Sequence, residues 1–307
     1  MLADTKLGPR RKAQAERLTE IARAMGVEIL AHFYQRAEVK ALADFVGGSL
    51  GIYRAALRSE AKAIMVCGVD FLTQTLERLR PDLVILTPRL DADCPFSRTV
   101  GPGEVALARQ NRPDTLLAAD IKASGEVRDL CDLEIGTFGE FHPEILSQSL
   151  PNRHITVLPA LSAGDPTALP HGQWPGAACQ VHLQVTAADV EAALKSLPGA
   201  RVAANSLCRP EVRRLAEAVG DSQTIFEACQ RAPKGDWLVI CESGLVETLR
   251  QTLPESRFFE TEVEIFCPNM KLTNIKDMLR CLEAEFPAVG TSTEIPALAG
   301  TAGQGAR

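Results

Sequence analysis

The sequence predicts an α/β protein of three αβα domains with parallel sheets, related by approximate threefold symmetry. Three observations predict it. A Glu-Val-basic segment recurs at Glu38-Val39-Lys40, Glu126-Val127-Arg128 and Glu211-Val212-Arg213, 88 and 85 residues apart. One short apolar run precedes each copy and another follows it. Of nine cysteines, Cys94, Cys179 and Cys267 keep the same period, 85 and 88 residues apart. Self-similarity at a fixed period marks a repeated structural unit.

The chain opens with a charged, helix-like stretch to about Gly26. Apolar runs at 27–31, 115–119 and 200–204 read as buried first strands. The Glu-Val-basic segments follow as helices, and then a glycine with a hydroxyl residue opens a second helix, in Gly47-Gly48-Ser49, Gly136-Thr137 and Gly220-Asp221-Ser222. Second strands are expected at 63–67, 155–158 and 237–241. A third is expected at 83–86, with weaker counterparts before Cys179 and Cys267. Strands alternating with helices give parallel sheets flanked by helices. The expected domains are 1–108, 109–197 and 198–307, the last carrying a small, polar tail after about Ala288.

Ligands of such sheets sit beyond the carboxyl ends of the strands. Those ends carry His32, Asp120 and Asn205, six residues before each repeat Glu, and Tyr34, Lys122 and Leu207, four before it. Ser49, Thr137 and Ser222 open helices whose free N–H groups suit a carboxylate or phosphate, although ordinary capping explains any one of them equally well. With 33 basic and 39 acidic residues the chain has no basic footprint. Nucleic acid and anionic membrane surfaces are therefore excluded as partners, and a small molecule is favoured. No apolar h-region or spanning segment is present, so a cytoplasmic protein is expected.

An odd number of cysteines with no CxxC pair argues against a disulfide framework. Cys94, Cys179 and Cys267 at equivalent positions would bring three thiolates together, and Cys94 and Cys267 each precede proline, as the last ligand of bacterial ferredoxin motifs does. Three thiolates suit an iron-sulfur cluster with one iron open. Zinc with three sulfurs and a water is the chemical rival. The remaining six, Cys67, Cys131, Cys208, Cys229, Cys241 and Cys281, read as packed small hydrophobes. An open metal position is a Lewis acid that assists loss of water or enolisation.

Several stretches resemble the quinolinate synthase family: Ile29-Leu30-Ala31-His32-Phe33-Tyr34-Gln35, the 43–50 segment, Cys67-Gly68-Val69-Asp70-Phe71, the 174–182 segment with Trp174, Gly176, Cys179 and His182, and Cys267-Pro268-Asn269-Met270-Lys271. The resemblance runs from about residue 27 to 285. It implies three αβα domains around a 4Fe-4S cluster held by Cys94, Cys179 and Cys267, and hence dependence on iron-sulfur assembly machinery. It also implies condensation of iminoaspartate with dihydroxyacetone phosphate to quinolinate for NAD synthesis. His32, Tyr34, Ser49 and His182 match family substrate-site residues.

The departures cluster at the same site. Where the family has Tyr-Val-Asn-Thr-Ser-Ala-Glu-Val-Lys, this chain has Asp120-Ile121-Lys122-Ala123-Ser124-Gly125-Glu126-Val127-Arg128. Family His-Pro-Glu-Cys is Asn205-Ser206-Leu207-Cys208, Gly-Ser-Thr-Ser is Gly220-Asp221-Ser222-Gln223, and Gly-Asp-Ser is Gly47-Gly48-Ser49. A leucine moves no proton. Asp120 and Lys122 offer a new acid/base pair, or Lys122 a Schiff base; an Asp-Lys ion pair between domains is the plainer alternative. The leading expectation is a cluster-dependent condensing or dehydrating enzyme acting on a modified polar-acid or phosphorylated substrate to form a nitrogen heterocycle. Catalytic roles are expected for Tyr34, Asp120, Lys122 and His182, and substrate binding for His32, Ser49, Thr137, Asn205 and Ser222. A working quinolinate synthase and a non-catalytic iron-sulfur sensor or accessory protein are the alternatives.

Overall fold

The computed structural model describes residues 7–98, 100–111, 113–135, 154–158, 179–232 and 234–285, with 135 and 154–158 described by backbone alone. Its strands form three all-parallel sheets. The first has the order β2-β1-β3-β4, with β1 Val27–His32, β2 Phe45–Gly47, β3 Ala63–Cys67 and β4 Val84–Leu86. The second has the order β6-β5-β7, with β5 Thr115–Asp120, β6 Leu133–Ile135 and β7 His154–Leu158. In the third, β9-β8-β10-β11, the strands are β8 Arg201–Asn205, β9 Ala218–Gly220, β10 Gly235–Ile240 and β11 Ser256–Phe259. The same order thus recurs, with the first strand of each unit central. The α/β class and parallel sheets read from the sequence are those observed.

Central strands of a parallel sheet are covered on both faces and read as unbroken apolar runs. Residues of β3 are buried throughout, and the inner residues of β10 likewise. The edge strands β2, β6 and β9 are three residues each, too short to show a period, and the sequence reading passed over them. Ser49 opens α3 (Ser49–Arg58), and Ser222 opens a helix at Ser222–Arg231. The Glu-Val-basic segments are single turns, α2 (Ala37–Lys40), α6 (Gly125–Asp129) and α8 (Pro210–Arg213). In chain order the remaining helices are α1 (Pro9–Met25), α4 (Asp70–Leu79), α5 (Pro102–Asn111), α7 (Ala187–Ser196), α9 (the Ser222–Arg231 helix), α10 (Ser243–Thr252) and α11 (Ile275–Glu285).

Helix α1 stops at Gly26, whose left-handed φ of 66° lets its N–H return to the carbonyls of Ala22 and Arg23. Leu18, Ile21 and Met25 of α1 pack with Ile275, Met278 and Leu282 of α11 beneath the first sheet. The last helix of the chain thus completes the core of the first unit. A second core joins the first and third sheets, Leu30, Phe33 and Val66 meeting Trp237, Val239 and Leu245.

In its first two copies the repeated basic residue ties its unit to another. Lys40 Nζ donates to Gly244 O (2.8 Å) and Thr248 Oγ1 (3.0 Å) on α10, and Arg128 Nη1 donates to Thr75 Oγ1 (2.9 Å) on α4. Thr248 and Thr75 each turn their own hydroxyl back to the carbonyl four residues earlier. In two of its three copies the repeat seen in the sequence is thus a contact between the elements of different sheets.

Candidate active site

Each first strand ends in the same turn. His32 Nδ1 accepts the N–H of Tyr34 (3.2 Å), Asp120 Oδ1 that of Lys122 (2.8 Å) and Asn205 Oδ1 that of Leu207 (3.0 Å). Such a side chain bonding the backbone two residues on mimics a turn. In all three a backbone bond also closes from residue i+3 to i, Gln35 to His32, Ala123 to Asp120 and Cys208 to Asn205. Tyr34, Lys122 and Leu207, the residues thrown forward by these turns, all line one central cavity of about 90 Å³.

Cys94, Cys179 and Cys267 open onto that cavity too, one from each unit. All three are free and partly exposed. Two are held by acidic side chains at the openings of helices: Asp70 Oδ1 accepts the N–H of Cys94 (3.0 Å), and Glu242 Oε1 that of Cys267 (3.3 Å). Burial, with repulsion among the three thiols, pushes Cys94 up to about 12 and Cys267 to about 11, and burial raises Cys179. As thiolates they call for a cationic centre between them. No group of three His, Cys, Asp or Glu among the described residues could hold a metal ion as they stand. Three thiols on separate loops around one cavity suit a larger centre, of which each holds one corner.

Next to the thiols lies a buried polar cluster. Tyr34 Oη is 3.1 Å from Cys241 Sγ, and Asn205 Nδ2 donates to Tyr34 Oη (3.3 Å) and to Cys241 Sγ (3.5 Å). His182 spans the two sulfurs, with Nδ1 3.3 Å from Cys179 Sγ and Nε2 3.9 Å from Cys241 Sγ. Burial, aided by the Lys122 charge, lowers His182 to about 3; burial, then Lys271, Lys122 and Lys40, lowers His32 to about 3. Both imidazoles are neutral near pH 7. Burial and the neighbouring Cys241 raise Tyr34 well above the usual phenol range, so it keeps its proton.

Of the residues singled out in the sequence, the cavity is lined by His32, Tyr34, Ser49, Cys94, Lys122, Cys179, His182, Asn205, Ser222 and Cys267. Asp120 is buried and absent from this lining, and its Oδ1 accepts the Lys122 amide of the turn. Thr137 lies outside the described residues. Ser49 and Ser222 are first residues of their helices, not caps. Gly48 caps α3, and Asp221 caps α9 by accepting the N–H of Thr224 (2.8 Å). Sequence reasoning missed Glu242, fully buried and paired with Lys271 Nζ at 3.0 Å, and took Cys241 for a packing residue. The signal for Glu242 was an acidic residue placed, like Asp70, just after a second strand.

Among described residues no helix is long and apolar enough to cross a membrane. The family model for quinolinate synthetase A protein matches residues 16–303. Quinolinate synthase of Geotalea uraniireducens is 29% identical over 271 residues, 87% of this chain and 88% of that protein. The Methanoregula boonei quinolinate synthase is 31% identical over 277 residues, covering 87% and 88%, and that of Pelobacter propionicus 28% over 285, covering 91% and 92%. With three cysteines from three parallel-sheet units on one cavity, and this match over nearly its whole length, the chain belongs to the quinolinate synthetase A family.

Proposed function

We propose that this chain is an iron-sulfur enzyme of the quinolinate synthase type that condenses or dehydrates a small carboxylate or phosphorylated substrate other than the family's usual pair, building a nitrogen heterocycle. One observation carries the reading. The thiols of Cys94, Cys179 and Cys267 face a single cavity whose lining also holds Lys122 where the family has asparagine and Leu207 where it has glutamate. The donor set fits a 4Fe-4S cluster: three soft sulfurs, raised by burial and in need of positive charge, on one cavity. When bound, such a cluster supplies a Lewis-acidic iron that polarises a hydroxyl or carboxylate.

The protein's own groups divide the remaining work. Tyr34 keeps its proton and donates a hydrogen bond. His32 accepts at Nδ1 from its own turn, which leaves Nε2–H as a donor. His182, neutral between two sulfurs, orients Cys179. Ser49 and Ser222, at the openings of two ten-residue helices, offer N–H groups and hydroxyls to an anion.

Anaerobic purification, iron and sulfide analysis and a quinolinate assay on one sample test this. Cluster-level iron without quinolinate from iminoaspartate and dihydroxyacetone phosphate is the expected result. Cluster-level iron with quinolinate at an ordinary enzymatic rate supports the second reading, a genuine quinolinate synthase, which the end-to-end likeness to quinolinate synthases favours. An iron-free protein after anaerobic reconstitution would sink both. Cys94→Ser, Cys179→Ser and Cys267→Ser should each lose iron, and Cys131→Ser and Cys229→Ser should keep it.

A further inference from the structure

Besides the neutral histidines, the described lining residues that carry charge are Asp93, Lys122 and Asp221. Both acids are committed. Asp93 pairs with Arg98 (3.2 Å) and accepts from Asn269 Nδ2 (3.3 Å), and Asp221 is spent on the amide and hydroxyl of Thr224 (2.8 and 3.0 Å). Among the described residues Lys122 has no ion pair and no side-chain hydrogen bond. Its ammonium lies 5.9 Å from the ring centroid of Phe96, and Phe96 packs with Leu207 and Cys94. Lys122 and Leu207 line the cavity, a cation beside an apolar side chain, and Phe96 is buried against Leu207 behind that lining.

A half-buried ammonium on a mostly apolar cavity, with no counter-charge among the described residues, is open to an incoming anion. We infer that Lys122 is the charge-selecting residue of the site, pairing with a carboxylate or phosphate whose adjoining carbon framework rests on Leu207. This deepens the proposed function and rests on the cavity being the substrate site, but not on the identity of the metal centre.

The test is calorimetric titration of the cluster-loaded chain with benzoate, inorganic phosphate and benzamide. Benzoate should bind most tightly. Phosphate should bind less well because it lacks the framework, and benzamide should bind about 10- to 100-fold more weakly than benzoate, the range for a hydrogen bond to a charged group. Lys122→Met should erase the benzoate advantage over benzamide, Lys122→Arg should retain it, and Leu207→Glu should reverse it. Iron content, read on each sample, should not change in these variants; low iron in the parent chain would count against the cluster and leave this inference standing. Equal affinity for benzoate and benzamide, undiminished benzoate binding by Lys122→Met, or no anion binding in the millimolar range would overturn it. Phosphate binding more tightly than benzoate would overturn the apolar half.

Discussion

Replacing Glu242 by alanine removes three contacts at once from a fully buried position. Its Oε1 pairs with Lys271 Nζ (3.0 Å) and accepts the Cys267 N–H (3.3 Å), while Oε2 accepts the Gly244 N–H (2.7 Å). Burial raises this carboxyl and the Lys271 charge draws it back. Breaking a buried pair from one side leaves an uncompensated charge and costs about 3–5 kcal/mol. The abandoned Gly244 amide, in the interior, moves the expected loss toward the upper end of that range. Glu242→Gln keeps an acceptor for one amide and should fall between alanine and the parent chain. Glu242→Leu combined with Lys271→Met removes both charges and should cost less than the sum of the singles. Urea denaturation at constant m reads the stability. Iron content reads the second effect, since Glu242 also fixes the backbone of Cys267. A loss below about 1 kcal/mol for alanine, or additivity in the double variant, would refute the idea that this pair acts as one buried unit.

Two further perturbations test the walls of the cavity. The pKa of His32, lowered to about 3 against an ordinary 6.5, makes the unfolded chain bind the extra proton between those values. Stability is therefore full above pH 6.5 and falls as pH drops toward 3, by about 1.4 kcal/mol per pH unit for this one group. His32→Asn, which keeps an acceptor for the Tyr34 amide as Asn205 does for Leu207, should flatten that slope, and an unchanged slope in urea titrations from pH 7 to 4 would contradict the assignment. At Gly48 a Cβ would stand 2.8 Å from the backbone nitrogen of Gln223 and from Ser222 Oγ. Gly48→Ala should cost about 1–3 kcal/mol by forcing α3 and α9 apart, measurable by denaturation, and a neutral effect would show that the two helix openings are not in firm contact.

The sequence made the class and the site legible because both are repeated. Buried parallel strands leave apolar runs, and a period shared by Glu38, Glu126, Glu211 and the three cysteines survives divergence of everything between them. Elements without such redundancy were invisible. The three-residue edge strands leave no period, and α11 has an apolar stripe, Ile275, Met278 and Leu282, with no counterpart elsewhere to call attention to it. Glu242 and Cys241 were hidden for another reason. Their meaning lies in partners 25 to 207 residues away along the chain, which no local pattern records. Nor does a residue list reveal that His32, Asp120 and Asn205 have one task, since an imidazole, a carboxylate and an amide look unrelated until each is seen accepting the same amide.

That shared task decides how the departure at Asp120 is to be read. The three residues at the strand ends differ in charge and size and have in common an acceptor aimed at the N–H two residues on. A carboxylate in this place accepts the turn amide, and the residue the turn presents to the cavity is Lys122. The acid/base pair drawn from the sequence thus separates into a support and a cavity group. Asp120→Asn should accordingly keep both fold and benzoate affinity, because an amide holds the same turn in the third unit. Asp120→Ala should cost about 1–2 kcal/mol for the lost bond to a charged acceptor and should also weaken benzoate, as Lys122 loses its fixed placement. Denaturation and calorimetry on the two variants separate the roles. If Asp120→Asn weakened benzoate as much as alanine while its stability stayed that of the parent chain, the carboxylate charge itself would be at work beside Lys122, and the division into support and cavity group would fail.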